Sequence, residues 1–174
     1  MSSDRNKKPA SNDEPDESIV RLGRRVVTGF DEDGKSRLWL DGKVPKSAIF
    51  HFSQDQIVAN VVWATDQVPV VIEKDYDPMV KWFQDHDWFP SVGVHVFIAT
   101  WQPGSSYPMH ASDTLDIGFV LSGEIELIME KGSTILGPGD CFVQRGTQHA
   151  WRVVGDKPCV WAGILMAKKP DGES

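Results

Sequence analysis

The sequence predicts an all-β protein, an antiparallel sandwich or barrel, and three observations carry that prediction. Apolar and polar residues alternate in short runs along most of the chain, and turn chemistry such as Gln102-Pro103-Gly104, Ser122-Gly123 and Gly137-Pro138-Gly139-Asp140 separates the runs. Only one segment keeps a helical period. With 174 residues, 40% of them hydrophobic and 25% charged, the chain has apolar material for one packed domain. Folding at this length buries roughly 70% of the unfolded surface, so neither disulfides nor a structural metal is required.

Met1 to Ser18 is rich in Ser, Asn, Asp, Glu, Lys and Pro without an apolar run, and is expected to be a disordered tail. Residues 19–90 read as added strands and one short helix wrapped on the barrel. Ile19 to Phe30 alternates, Asp31-Glu32-Asp33-Gly34 supplies a turn, and Ser36 to Leu40, Ala48 to Phe52 and Gln56 to Trp63 follow as strands. Val68 to Ile72 continues the pattern, with Pro69 marking an edge or a strand start. Asp77 is a good N-cap with Pro78 behind it, and Met79, Trp82, Phe83 and His86 recur at three- and four-residue spacing, which predicts a helix over 78–87. Trp82, Phe83 and the neighbouring Trp88 read either as a lid over an aromatic or polyketide-like substrate or as packing between helix and sheet.

Residues 91–167 carry the barrel. Val92 to Trp101, Thr114 to Leu121, Glu124 to Glu130, Thr134 to Leu136, Cys141 to Gln144, Ala150 to Val154 and Cys159 to Met166 are its expected strands, and 168–174 is a short tail. Glu124, Glu126 and Glu130 alternate with Ile125, Leu127 and Met129 and read as a solvated face. Cys141 and Cys159 each sit in an apolar run and read as buried free thiols.

Lysine and arginine number 18 against 25 acids, a balance of −7 that argues against nucleic acid or an anionic membrane as partner. The acidity is uneven: residues 1–90 hold 12 basic and 16 acidic side chains, whereas 91–170 hold 6 and 7. No run approaches the roughly 18 apolar residues of a membrane span or the apolar core of a secretory signal, so a cytoplasmic location is expected.

Two of the five histidines, His110 and His149, stand where a barrel brings distant strands together. Asp116 follows His110 by six residues, so on an extended chain His110, Ser112, Thr114 and Asp116 share one face. A carboxylate entering a core needs a partner, and two imidazoles with one carboxylate form the facial triad that leaves metal positions open. His95 alternates with Phe97, Ala99 and Trp101 and reads as a satisfied packing residue, while His51 and His86 have no spacing argument.

The run Gly104, His110, Ser112, Asp116, Gly123 resembles the first cupin motif, G-x5-H-x-H-x3-E-x6-G, and Gly139 to His149 resembles the second, one residue short and with Gln144 where proline is common. The whole is similar to small single-domain cupins of bacterial and fungal biosynthetic gene clusters, some of them labelled cupin-domain oxidoreductases. The resemblance implies a double-stranded β-helix, or jelly-roll, barrel. It implies His110, Asp116 and His149 as ligands of a divalent metal, iron, manganese, zinc or nickel, with Ser112 in place of the second histidine and Asp116 in place of glutamate. Tyr107 and His149 are then the candidate catalytic residues, and Trp151 and Ser112 the candidate substrate contacts. Arg145 and Arg152 either meet a substrate carboxylate or face solvent. Three functions remain open: a metal-dependent oxidoreductase acting on a small organic molecule; a metal-independent lyase, dehydratase or isomerase using cavity histidines; and a non-catalytic small-molecule binder. Cupin relatives often pair through N-terminal strands, so a homodimer is expected.

Overall fold

The computed structural model describes residues 24–54, 56–74, 76–79 and 88–169. Within them the chain forms twelve strands: β1 (Arg24–Phe30), β2 (Ser36–Lys43), β3 (Ile49–Phe52), β4 (Ile57–Thr65), β5 (Val94–Trp101), β6 (Ser106–His110), β7 (Thr114–Ser122), β8 (Glu124–Met129), β9 (Ser133–Leu136), β10 (Cys141–Arg145), β11 (His149–Val154) and β12 (Cys159–Ala167). A 3-10 turn, Lys46–Ala48, precedes β3. The strands make a six-stranded sheet in the order β10-β7-β12-β5-β4-β3, a four-stranded sheet β6-β11-β8-β9, and a separate β1–β2 hairpin. Every pairing is antiparallel.

The alternation that predicted the strands also builds the core. On β12, Cys159, Trp161, Gly163 and Leu165 are buried and the residues between them half-exposed; on β11, His149, Trp151 and Val153 point inward. The inner faces meet through Trp151 stacked on Trp161 at 5.9 Å and Phe142 against both. Gly123 turns β7 into β8 with φ +71°, and a Cβ there would lie 2.3 Å from the Pro158 carbonyl oxygen. The turn thus requires glycine on both counts.

The wrapping segment differs from expectation in one place. Val68 to Ile72 forms no strand: Val68, Val70, Val71 and Ile72 are all exposed and extend no sheet. The run has strand propensity but no regular alternation, and Pro69 offers no N–H to a ladder. Of the helix expected over 78–87, Pro78 and Met79 are helical, and Trp82, Phe83 and His86 lie outside the described residues. Its start is anchored as the N-cap reading requires, the Met79 amide donating to Asp77 Oδ1 at 3.1 Å. Arg25 of β1 grips the same carboxylate through both terminal nitrogens, at 2.8 and 2.5 Å, which ties the hairpin to this corner. The tails at 1–18 and 170–174 lie outside the described residues. Cys159 is buried, but Cys141 is exposed, because strand parity turns Phe142 and Gln144 inward and Cys141 outward. No helix among the described residues is long and apolar enough to cross a membrane.

Candidate active site

Between the two large sheets lies a cavity of about 70 Å³, room for about five to seven water-sized atoms. Its wall is aromatic: Phe52, Trp88, Phe89, Phe97, Trp101, Tyr107, Phe142, Trp151 and Trp161. Among the described residues, the ionisable groups on it are His110, His149, Asp116 and the Tyr107 hydroxyl, and no lysine or arginine lines it. Arg145 is exposed, and Arg152 points outward to Glu126, its Nε donating to Oε2 at 3.0 Å. Both arginines therefore take the solvent-facing alternative.

β6 and β11 pair with His110 directly opposite His149, and the imidazole centroids are 4.2 Å apart. Each ring is fixed from behind by backbone: His110 Nδ1 lies 2.9 Å from the Pro108 carbonyl oxygen and His149 Nδ1 2.8 Å from that of Thr147. A carbonyl only accepts, so each Nδ1 carries the hydrogen and each neutral ring keeps a bare Nε2. Burial pulls both imidazoles below their ordinary 6.5, more strongly than the carbonyl contacts raise them, and for His149 the neighbouring His110 adds to the lowering. The pair is consequently neutral at pH 7 and able to accept a proton.

Tyr107, a candidate catalytic residue, belongs to β6, where its ring meets His110 edge-on at 4.8 Å. Burial raises its hydroxyl, which stays protonated and can donate. Asp116 enters from β7, 8% exposed, and burial pushes its carboxyl up to about 6 against lesser opposition from Thr114 and Ser112. Ser112 does not stand on the cavity wall. It sits behind Asp116, taking a hydrogen bond from Thr114 at 2.8 Å and donating a long one, 3.5 Å, to Asp116 Oδ2. Trp151 lines the cavity, where it can meet a substrate, and is also 95% buried in the core. His95 is fully buried with Nδ1 3.1 Å from the Trp88 carbonyl oxygen and stays off the wall.

Among the described residues no group of three His, Cys, Asp or Glu side chains is gathered as a metal cluster. His110 and His149 supply two imidazole nitrogens, and Asp116, on the same cavity wall, has its Oδ1 buried without a hydrogen-bond partner. Two imidazoles are two of the three ligands of a facial triad, and no step below is routed through a metal.

Sequence reasoning found the polar end of the site and missed most of its wall. Phe52, Phe142 and Trp161 come from three separate strands, and Phe89 from the bend ahead of β5, where no periodicity signals it. Trp88, read with the possible lid, is part of the wall and packs edge-on against Phe50, Phe52 and Phe97 at 5.3, 5.5 and 4.7 Å.

The model of the cupin domain matches residues 97–167. The cupin-domain-containing oxidoreductase virC of Hypocrea virens is 31% identical over 159 residues, 87% of this chain and 79% of that protein. The chain belongs to the cupin family. The cupin-domain-containing oxidoreductase fogC of Aspergillus ruber is 28% identical over 136 residues, and this cupin spans 66% of its length. The oryzines biosynthesis cluster protein J of Aspergillus oryzae is 28% identical over 134 residues, 74% of this chain and 73% of that protein. The relatives of this cupin thus bear the names of oxidoreductases and of fungal biosynthetic cluster proteins.

Proposed function

We propose that this cupin is an enzyme of secondary metabolism that takes a compact, planar, largely apolar metabolite, aromatic or polyketide-derived, and moves protons at its polar edge. The observation that carries the reading is the pair of neutral imidazoles, 4.2 Å apart, at the polar end of an otherwise aromatic cavity. Aromatic walls favour a flat ring by stacking and edge-on contacts. Among the described residues no arginine or lysine lines the cavity, which disfavours a carboxylate or phosphate, whose burial would go uncompensated. With the ring held, His149 or His110 accepts a proton from an acidic C–H or O–H through its bare Nε2, and the protonated Tyr107 hydroxyl returns one. The reaction class is isomerisation, dehydration or lyase chemistry. The test incubates the protein with enolisable aryl ketones and hydroxyaryl compounds in deuterated water and follows exchange by NMR. Exchange in the wild type that disappears in His149→Gln supports the reading; binding without exchange leaves a non-catalytic small-molecule binder and refutes the enzyme.

A second reading is a metal-dependent oxidoreductase, favoured by the names of the relatives and by the two uncommitted Nε2 atoms. Metal analysis of protein purified without chelator decides it. A stoichiometric iron, manganese, zinc or nickel ion lost in His149→Ala supports it, and no uptake after reconstitution removes it.

A further inference from the structure

Gly118 of β7 and Gly163 of β12 are direct partners across the sheet, and both are inward positions. Neither has a backbone that demands glycine; what demands it is the space above. A Cβ on Gly118 would lie 2.2 Å from Cζ and 2.4 Å from Cε1 of Phe142. One on Gly163 would lie 2.5 Å from Cζ of Phe97 and 2.9 Å from Cζ3 of Trp161. All three rings are cavity wall. Two phenyl rings thus settle onto bare backbone at a place where adjacent strands lack side chains opposite each other.

We propose that the Gly118–Gly163 pair sets the depth of the cavity and thereby admits a flat ring, so that these glycines are specificity determinants for a planar aromatic ligand. The inference rests on the aromatic-ligand reading above. With alanine at 118 the Phe142 ring must move by at least about 1.2 Å to reach ordinary contact. Backward motion is blocked by the sheet. Sideways motion is blocked by Trp151 and Trp161, whose centroids stand 4.8 and 5.3 Å away. The ring advances into a space that holds about five to seven water-sized atoms, and a ligand ring loses its place.

The experiment measures binding of phenol and 2-naphthol by isothermal titration to wild type, Gly118→Ala, Phe142→Leu and the double variant Gly118→Ala/Phe142→Leu, with thermal midpoints in parallel. The expected result is phenol binding weakened about ten-fold or more in Gly118→Ala and regained in the double variant, where the smaller side chain leaves room for the methyl. Phenol affinity within two-fold of wild type in Gly118→Ala overturns the proposal, as does a double variant that folds without regaining phenol. If Gly118→Ala does not fold, the comparison passes to Phe142→Leu, which should gain affinity for 2-naphthol over phenol; no gain overturns it. A wild type that binds neither ring overturns the aromatic-ligand reading itself, whereas wild-type binding with unaffected variants overturns only the role of the glycines.

Discussion

Replacing Asp116 by asparagine should make this cupin more stable at neutral pH and leave it nearly unchanged in acid. The carboxyl is 8% exposed, its Oδ1 has no partner, and its folded-state value is raised from an ordinary 3.8 to about 6. A raised carboxyl binds its proton more tightly in the folded chain than in the unfolded one. Its contribution to stability is therefore fully present below about pH 4 and is lost as pH rises through about 6. A shift of two units corresponds to about 3 kcal/mol, since each unit is about 1.4 kcal/mol. Asparagine nearly matches the shape, can still accept from Ser112, and carries no titrating proton.

Urea unfolding followed by tryptophan fluorescence at pH 4 and pH 7.5, for both proteins, measures the difference. At pH 7.5 the variant's midpoint should exceed the wild type's by about 1–1.5 M more than at pH 4, with m near the upper end of the usual 1–3 kcal/mol/M. The histidines titrate alike in both proteins and cancel in the comparison. An equal offset at the two pH values refutes the claim that a buried, unpartnered carboxyl is being ionised. The opposite sign, the wild type gaining as pH rises, means that a cation holds Asp116 ionised in the folded chain, the situation a metal ligand would create.

Four further outcomes follow from the same geometry. His110→Gln and His149→Gln should each lower turnover by about 10²- to 10⁴-fold while phenol binding, measured by titration, stays within a few-fold. The imidazoles lie below 6.5, so rates should hold from neutral pH down and fall only when the pair protonates in acid; a rate that instead rises in acid contradicts the base role. Asp77→Ala should cost roughly 3 kcal/mol in chemical denaturation, because it strands the nearly buried Arg25 guanidinium and removes a helix cap. We also propose that the cupin is a homodimer paired through its N-terminal strands, where Val26, Phe30 and Leu38 are exposed; a monomer by light scattering at micromolar concentration removes that proposal.

What was legible in the sequence follows the range over which each signal acts. Alternation and turns are local, and β5, β7, β8 and β10 to β12 lie within two residues of their expected ends. β6 was hidden because Pro108 and a run of polar residues resemble a loop, yet Trp151 and Arg152 of β11 pair with Tyr107 and Ser106. The His110–His149 juxtaposition was readable from motif spacing, since the register of β6 on β11 puts the two opposite each other. Asp116 shared their parity, but parity fixes a face and not a convergence point. Thr114 donates to Ser112 and Ser112 reaches Oδ2 of the carboxyl, which leaves Oδ1 without a partner. Ser112 was read as a substrate contact for the same reason, and one layer of depth separates it from the cavity.

The distribution of charge argues for the same chemistry from another direction. The acidic excess lies mainly in residues 1–90 and the C-terminal tail, and the strands around the cavity are close to neutral. Arg152, the cation nearest in sequence to the site, is neutralised outside by Glu126, and among the described residues no fixed positive charge lines the cavity to pull Asp116 toward ionisation. Burial acts on all three ionisable side chains at the polar end in the direction of neutrality: the histidines lose protons more readily and Asp116 keeps its own. Two neutral imidazoles and a protonated phenol in an aromatic enclosure can exchange protons with a neutral substrate without first separating charge. Introducing a buried cation, as in Leu165→Arg beside Asp116 on the cavity wall, should pull the carboxyl down and trade that neutral chemistry for anion binding, with Asp116→Asn then losing its pH-dependent stability gain.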